Sequence, residues 1–257
     1  MEPRRSGAAT SLASADGRPE VTRHDFWRGT QGAEPWPGSQ FDRNKIVRDR
    51  YEATGQEVRS DENLLGIKNK AELDRVENIA LKQAEDLFFR KLVSKNHRFT
   101  ATDICNMHKV WLGKIYEWAG KYRSVDLIKG IRFAHARHIP SLMEDFEKRI
   151  LSRHTPCVFN SRKRVVEALA EVHNELVLIH PFREGNGRLA RLLSTLMALQ
   201  AGLPQLDFSP IEKGKGKQKY FNAVQAGLAK DYQLMQEIFE KVIEKTLSRS
   251  HGKNKSG

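Results

Sequence analysis

His180-Pro181-Phe182-Arg183-Glu184-Gly185-Asn186-Gly187-Arg188-Leu189-Ala190-Arg191 differs in kind from the sequence on either side of it. Pro181 disfavours an α conformation in the residue before it, so a helix arriving from the N-terminal side ends near His180. Gly185 and Gly187 accept backbone angles that other residues resist, which lets the main-chain N–H groups of residues 185–187 turn inward. A helix follows at once, and the unpaired N–H groups and dipole of its first turn face the same space. Arg188 and Arg191 are three residues apart and share one helical face. Together these features describe an anion-binding loop with two guanidinium clamps, one carboxylate and one imidazole. A triphosphate carrying a divalent ion would satisfy all of them. Glu184 offers Mg²⁺ a hard oxygen ligand. His180, with an ordinary pKa near ~6.5, is able to accept a proton at neutral pH.

Outward from this loop the pattern is helical. From residue 71 to 95, Leu73, Val76, Ile79, Ala80, Leu87, Phe88 and Leu92 recur at the three- and four-residue spacing of a core-facing stripe. Ile104, Met107, Trp111, Ile115 and Trp118 repeat it over 102–119, with Thr100 or Thr102 as cap. Further helices are expected over 139–151, 161–179, 188–201, 218–229 and 232–247, the fifth in chain order stopped by Gly202 and Pro204. The exception is 122–134. There Val125, Leu127, Ile131 and Phe133 alternate with polar residues, and Lys129-Gly130 supplies a turn, which predicts a short β-hairpin. The expected fold is mainly α, about seven helices with one hairpin.

Residues 1–44 mix Ser, Ala, Gly, Pro and Arg without any period, which predicts a disordered or loosely attached arm. The folded domain is expected over 45–247, and the basic tail 248–257 is expected to fray. The chain of 257 residues is long enough to bury a core without cross-links. Its 44 lysines and arginines against 32 acids leave a formal charge of +12, which suits a polyanionic partner without choosing one. Cys105 and Cys157 lie far apart with no metal-ligand spacing, as in a reducing compartment. No apolar run approaches the ~20 residues of a membrane span, and the N-terminus makes a poor signal peptide. The expectation is a soluble cytoplasmic chain, or one exported into a host or recipient cell.

The loop matches every specified position of the Fic motif, His-x-Phe-x-(Asp/Glu)-Gly-Asn-Gly-Arg-x-x-Arg. Upstream, Gly120-Lys121-Tyr122-Arg123 with the hairpin resembles that family's flap, and Tyr220 with Ala223 resembles its following helix. The similarity extends over roughly residues 61–247. It implies a Fic-type helical domain that transfers AMP from ATP to the hydroxyl of a Ser, Thr or Tyr on a target protein. By this resemblance His180 would be the base and Phe182 a buried anchor. Glu184 would hold Mg²⁺, and Gly185, Asn186 and Gly187 would form the anion hole. Arg188 would hold the β-phosphate, Arg191 the γ-phosphate, and Tyr220 would touch the adenine. Ile131, Arg132 and Phe133, near the exposed end of the hairpin, would take an extended target segment by strand addition.

Other readings are weaker. His173 precedes His180 by one heptad, but no His-Glu-x-x-His spacing supports a zinc site. His108, His135 and His138 receive structural roles. The lysine- and glycine-rich run from Lys213 to Lys219 lacks the ending of a phosphate loop and reads as a solvated connector. Relatives of the same fold transfer phosphoryl, other nucleotidyl or phosphocholine groups, which is the alternative chemistry. A basic nucleic-acid-binding module is a third reading, without a helix-turn-helix, zinc or aromatic signature to carry it. Many members of the family carry an inhibitory helix, Ser/Thr-x-x-x-Glu-Gly/Asn, whose Glu pairs with the second motif arginine. Only Thr30 has a Glu at that offset, Glu34, and Pro35 follows it, so the chain is expected to be restrained by a small antitoxin-like partner supplied in trans.

Overall fold

The computed structural model describes residues 63–91, 96–128 and 133–253. The expected N-terminal arm lies outside them, as do Leu92, the Lys129-Gly130 turn and the flap residues Ile131 and Arg132.

Helix α1 (Lys70–Lys91) buries Glu77, Ala84 and Phe88. Helix α2 (Ala101–Leu112) opens on a capping box, in which the Thr100 side chain accepts from Asp103 N and Asp103 in turn accepts from Thr100 N. The sequence pattern overruns the end of this helix. Ile115 and Trp118 continue the period, but the helix stops at Leu112 before Gly113, and 113–119 form successive turns. Those turns carry Tyr116 and Trp118, stacked on each other at 4.5 Å. Helix α3 (Ile139–Phe146) runs into a π-type turn (Glu147–Leu151) and a last turn ending at His154.

Helix α4 (Arg162–Ile179) is capped by Ser161 and buries every residue from Val172 to Ile179. Helix α5 (Asn186–Gln200) buries every residue from Leu192 to Ala198. The two pack against each other as the central pair, and helices apolar around most of their circumference belong in that position. Helix α6 (Gly214–Ala226) begins inside the lysine–glycine run, earlier than the sequence suggests, because Lys213 supplies an extended N-cap at its start. Helix α7 (Gln233–Lys253) packs on α4 and α6 and continues past Leu247 into the basic tail, where Arg249 pairs with Asp207 at 3.2 Å. The architecture is the expected helical one.

The expected hairpin is described only in part, up to residue 128 and from residue 133. Among the described residues no extended strand is present, and Ile128 is a bridge residue. Across the segment, among the described residues, Phe133 N donates to Leu127 O at 3.2 Å. The carbonyls of Val125 and Ala134 accept from the guanidinium of Arg123.

Candidate active site

The α4–α5 connection brings the loop residues into one place. His180 is the C-cap of α4, in the left-handed region at φ 51° and ψ 58°, with its N–H bonded back to Leu176 O. Its Nδ1 lies 3.1 Å from Val177 O. A carbonyl only accepts, so Nδ1 carries the proton and Nε2 the lone pair. The imidazole is buried, and the Phe133 ring stacks on it at 3.7 Å and 15°. Phe133 is therefore turned inward, 6% exposed, and does not stand at an exposed tip.

Beyond His180 the loop is stapled shut. Asn186 Oδ1 accepts from Phe182 N at 2.9 Å, and its Nδ2 donates to Phe182 O at 2.8 Å. The Asn186 side chain thus fixes the loop, leaving its main chain to open α5. Gly185 sits at φ +82°, and a Cβ there would meet the Trp111 ring at 2.7 Å. Both facts require glycine. Phe182 is fully buried and stacks on His108 at 4.0 Å. The N–H groups of Asn186, Gly187 and Arg188 form the first turn of α5, where no intrahelical acceptor exists.

His108 is the part of this site that sequence reading underrated. Gly120 N donates to its Nδ1 at 2.9 Å, so Nε2 carries the proton and donates to Glu184 O at 3.0 Å. Burial, opposed by the bond to Glu184 and aided by Arg188, lowers its pKa to about 4, so it stays neutral. His173 behaves alike. Burial, with a contribution from Arg191, takes it down to about 3. Its ring nitrogens meet Ser194 Oγ at 3.1 Å and Tyr220 OH at 3.0 Å. Tyr220 is consequently buried with its hydroxyl facing the core, and burial pushes its pKa up to about 12.

Arg188 and Arg191 are held differently. Arg188 Nη2 lies 2.7 Å from Glu77 Oε2 and 3.5 Å from Glu184 Oε1, and its guanidinium covers the Trp111 ring at 4.7 Å. Glu77, 3% exposed, also accepts from Tyr116 OH at 2.6 Å and, through its main-chain carbonyl, from Trp111 Nε1 at 2.9 Å. This carboxylate was not singled out in the sequence. The signal is its place on the apolar face of α1 between Leu73, Val76 and Ala80, where an acid needs a partner. Arg191 instead lines a cavity of about 680 Å³ together with Arg188, Lys82, Glu85, Asp207 and Arg249. Burial and the neighbouring Asp86, opposed by Lys82 and Arg191, raise the Glu85 pKa.

Glu184 lies one residue before the N-cap of α5, and among the described residues no group of three or more His, Cys, Asp or Glu side chains is placed to hold a metal ion. One hard oxygen donor suits Mg²⁺, which takes its remaining ligands from phosphates and water.

The Fic/DOC family model matches residues 98–198. The chain is 34% identical over 153 residues to protein adenylyltransferase VbhT of Bartonella schoenbuchensis, covering 59% of this chain and 31% of VbhT. It is 30% identical over 145 residues to a probable protein adenylyltransferase Fic of Salmonella typhimurium, covering 54% of this chain and 68% of that one. The chain belongs to the Fic/DOC family. It spans about a third of the length of the first curated relatives that it matches. Among solved structures it resembles BepC of Bartonella tribocorum, described as a VirB-translocated effector with bound AMPPNP. That likeness has a TM-score of 0.56 and 25% identity over 70% of this chain and 90% of the other. No described helix is long and apolar enough to cross a membrane.

Proposed function

We propose that this chain is a protein adenylyltransferase that moves AMP from ATP to a Ser, Thr or Tyr hydroxyl of a target protein. The observation that carries the reading is His180. Its Nδ1 is committed to Val177 O, which leaves Nε2 as the basic nitrogen, and it stands at the entrance to a stapled loop and a helix N-terminus. In the reaction the target hydroxyl attacks the α-phosphorus while His180 Nε2 takes its proton. A new P–O bond forms and the bond to pyrophosphate breaks. The main-chain N–H groups opening α5 and the two guanidiniums stabilise charge gathering on the departing pyrophosphate. Mg²⁺, held through Glu184, would neutralise part of the same charge when bound. Ile131 and Arg132 belong to the proposed target-docking segment, and Tyr220 would reach the adenine only through its ring.

The proposal places the chain where ATP is found, in its own cytoplasm or in that of a recipient cell. A small inhibitory partner, supplied in trans and presenting a Glu to Arg191, is part of the same reading. In support, α1 directs its own buried carboxylate, Glu77, to Arg188, and among the described residues no carboxylate forms an ion pair with Arg191. Thr30 and Glu34 lie outside the described residues.

The test is mass spectrometry of a lysate incubated with the protein and Mg·ATP. An AMP adduct on target hydroxyls is expected, and a phosphoryl or phosphocholine adduct would replace this chemistry with the alternative. His180→Ala should lower labelling by ~10²–10⁴-fold, because it removes the proton acceptor and leaves the phosphate clamps in place. Undiminished labelling by that variant would remove His180 from the reaction.

A further inference from the structure

Arg123 is 2% exposed, and among the described residues no carboxylate lies within ion-pair distance of it. Its donors go to main-chain carbonyls instead. Nε donates to His180 O at 2.7 Å, Nη1 to Val125 O at 2.5 Å, and Nη2 to Ala134 O. Its own backbone N–H donates to Pro181 O at 2.9 Å. Burial lowers its pKa to about 10, against the pull of Asp126, which leaves it charged at neutral pH.

Four bonds from one residue therefore tie together three stretches of chain: residue 123 itself, the segment bounded by Val125 and Ala134, and the His180-Pro181 corner. Two of the carbonyls flank the stacked ring pair. One is that of His180, whose backbone lies in the left-handed region that a residue with a Cβ resists. The other is that of Ala134, the neighbour of Phe133, whose ring covers the imidazole at 3.7 Å. A charge alone would not need this site. A planar fork of donors, in fixed geometry, does.

We propose that Arg123 is a positioning residue for the base: it grips the carbonyls of His180 and Ala134 at once, and so holds the His180 imidazole against Phe133 with Nε2 directed to the reacting hydroxyl. The proposal rests on the reading of His180 as base. It assigns Arg123 no contact with substrate. None of these four bonds reaches Arg188, Arg191 or residues 185–187, so nucleotide binding and transfer should separate.

Arg123→Lys keeps the charge and loses the fork, and Arg123→Gln loses both. The experiment measures AMP incorporation into lysate protein from α-labelled ATP, Mg·ATP affinity by calorimetry, and the Cε1–H resonance of His180 by NMR. Expected for the lysine variant is a folded protein with Mg·ATP affinity and KM for ATP within about threefold of the parent. Its transfer rate at saturating ATP should fall ~100-fold, the cost of a catalytic group displaced by about an ångström. The His180 resonance should be sharp and single in the parent and broadened or split in the variant. Unchanged transfer, loss of transfer in step with ATP affinity, or an unaltered His180 resonance each overturns the proposal. So does failure of both variants to fold, which would make Arg123 a general stability element. If the parent labels no protein at all, the adenylyltransferase reading fails, and the NMR result still decides whether Arg123 positions His180.

Discussion

Two arginines on one face of α5 are held in different ways. Arg188 is bracketed by Glu77, Glu184 and the face of Trp111. Three residues along, Arg191 lines a cavity with Lys82 and Glu85, which Arg188 also borders, and among the described residues it has no such bracket. The first guanidinium is oriented before any ligand arrives, so little side-chain entropy remains to be lost on binding. The second keeps its surroundings polar and open. One helix thus combines a fixed guanidinium with an adaptable one; under the proposed function both would clamp phosphate, and the adaptable one is where a competing carboxylate would act.

The largest effect expected from breaking this contrast is on the fixed side. Glu77→Ala strips Arg188 and Tyr116 of a buried carboxylate, and loss of one partner from a buried pair costs ~3–5 kcal/mol. Chemical denaturation should show that loss, with Glu77→Gln falling between the two. A stability change under ~1 kcal/mol would mean that the bracket around Arg188 is incidental. Arg191→Ala should leave unfolding within ~0.5 kcal/mol of the parent. It should also weaken Mg·ATP binding about 10- to 100-fold, the worth of a charge-assisted hydrogen bond. Equal losses of stability in Arg191→Ala and Arg188→Ala would erase the distinction.

The smallest effect is a pH dependence on the fixed side. His108 has a folded-state pKa of about 4, below its unfolded value. The unfolded chain therefore binds more protons between those values, and the stabilisation is complete above pH ~6.5 and lost as pH falls toward 4. Protonation would also remove the acceptor that Gly120 N uses. By pH 5.5 the loss should be about 1 kcal/mol from this group, readable as a lowered melting temperature. His108→Gln should flatten that part of the profile. A variant that follows the parent's pH curve would assign the dependence elsewhere, with His173 the next candidate.

The loop was legible in sequence because each of its positions carries its own demand. Gly185 must adopt φ +82° beside Trp111, Pro181 must end α4, and the arginines must share a face. The helices were legible through their periods. Helix α2 ran long on paper because Ile115 and Trp118 keep the spacing after Gly113 has ended the helix. Glu77 escaped notice because an acid on a helix reads as solvated until the packing partner is known. Arg123 was equally opaque, since its partners are main-chain carbonyls, which any residue type supplies. The hairpin was inferred from alternation alone, and alternation does not reveal that Arg123 has claimed the carbonyls of Val125 and Ala134. Phe133 was expected to meet a target for the same reason. The ring it covers is 47 residues away in sequence (180 − 133).

The reciprocal amide pair between Asn186 and Phe182 also has a kinetic meaning. With the loop already closed, an incoming polyanion has no segment of it to wait for. Its arrival is then governed by encounter, which a chain of net charge +12 accelerates at low ionic strength and salt slows. The asparagine that shapes the mould thereby hands control of the association rate from the loop to the solvent.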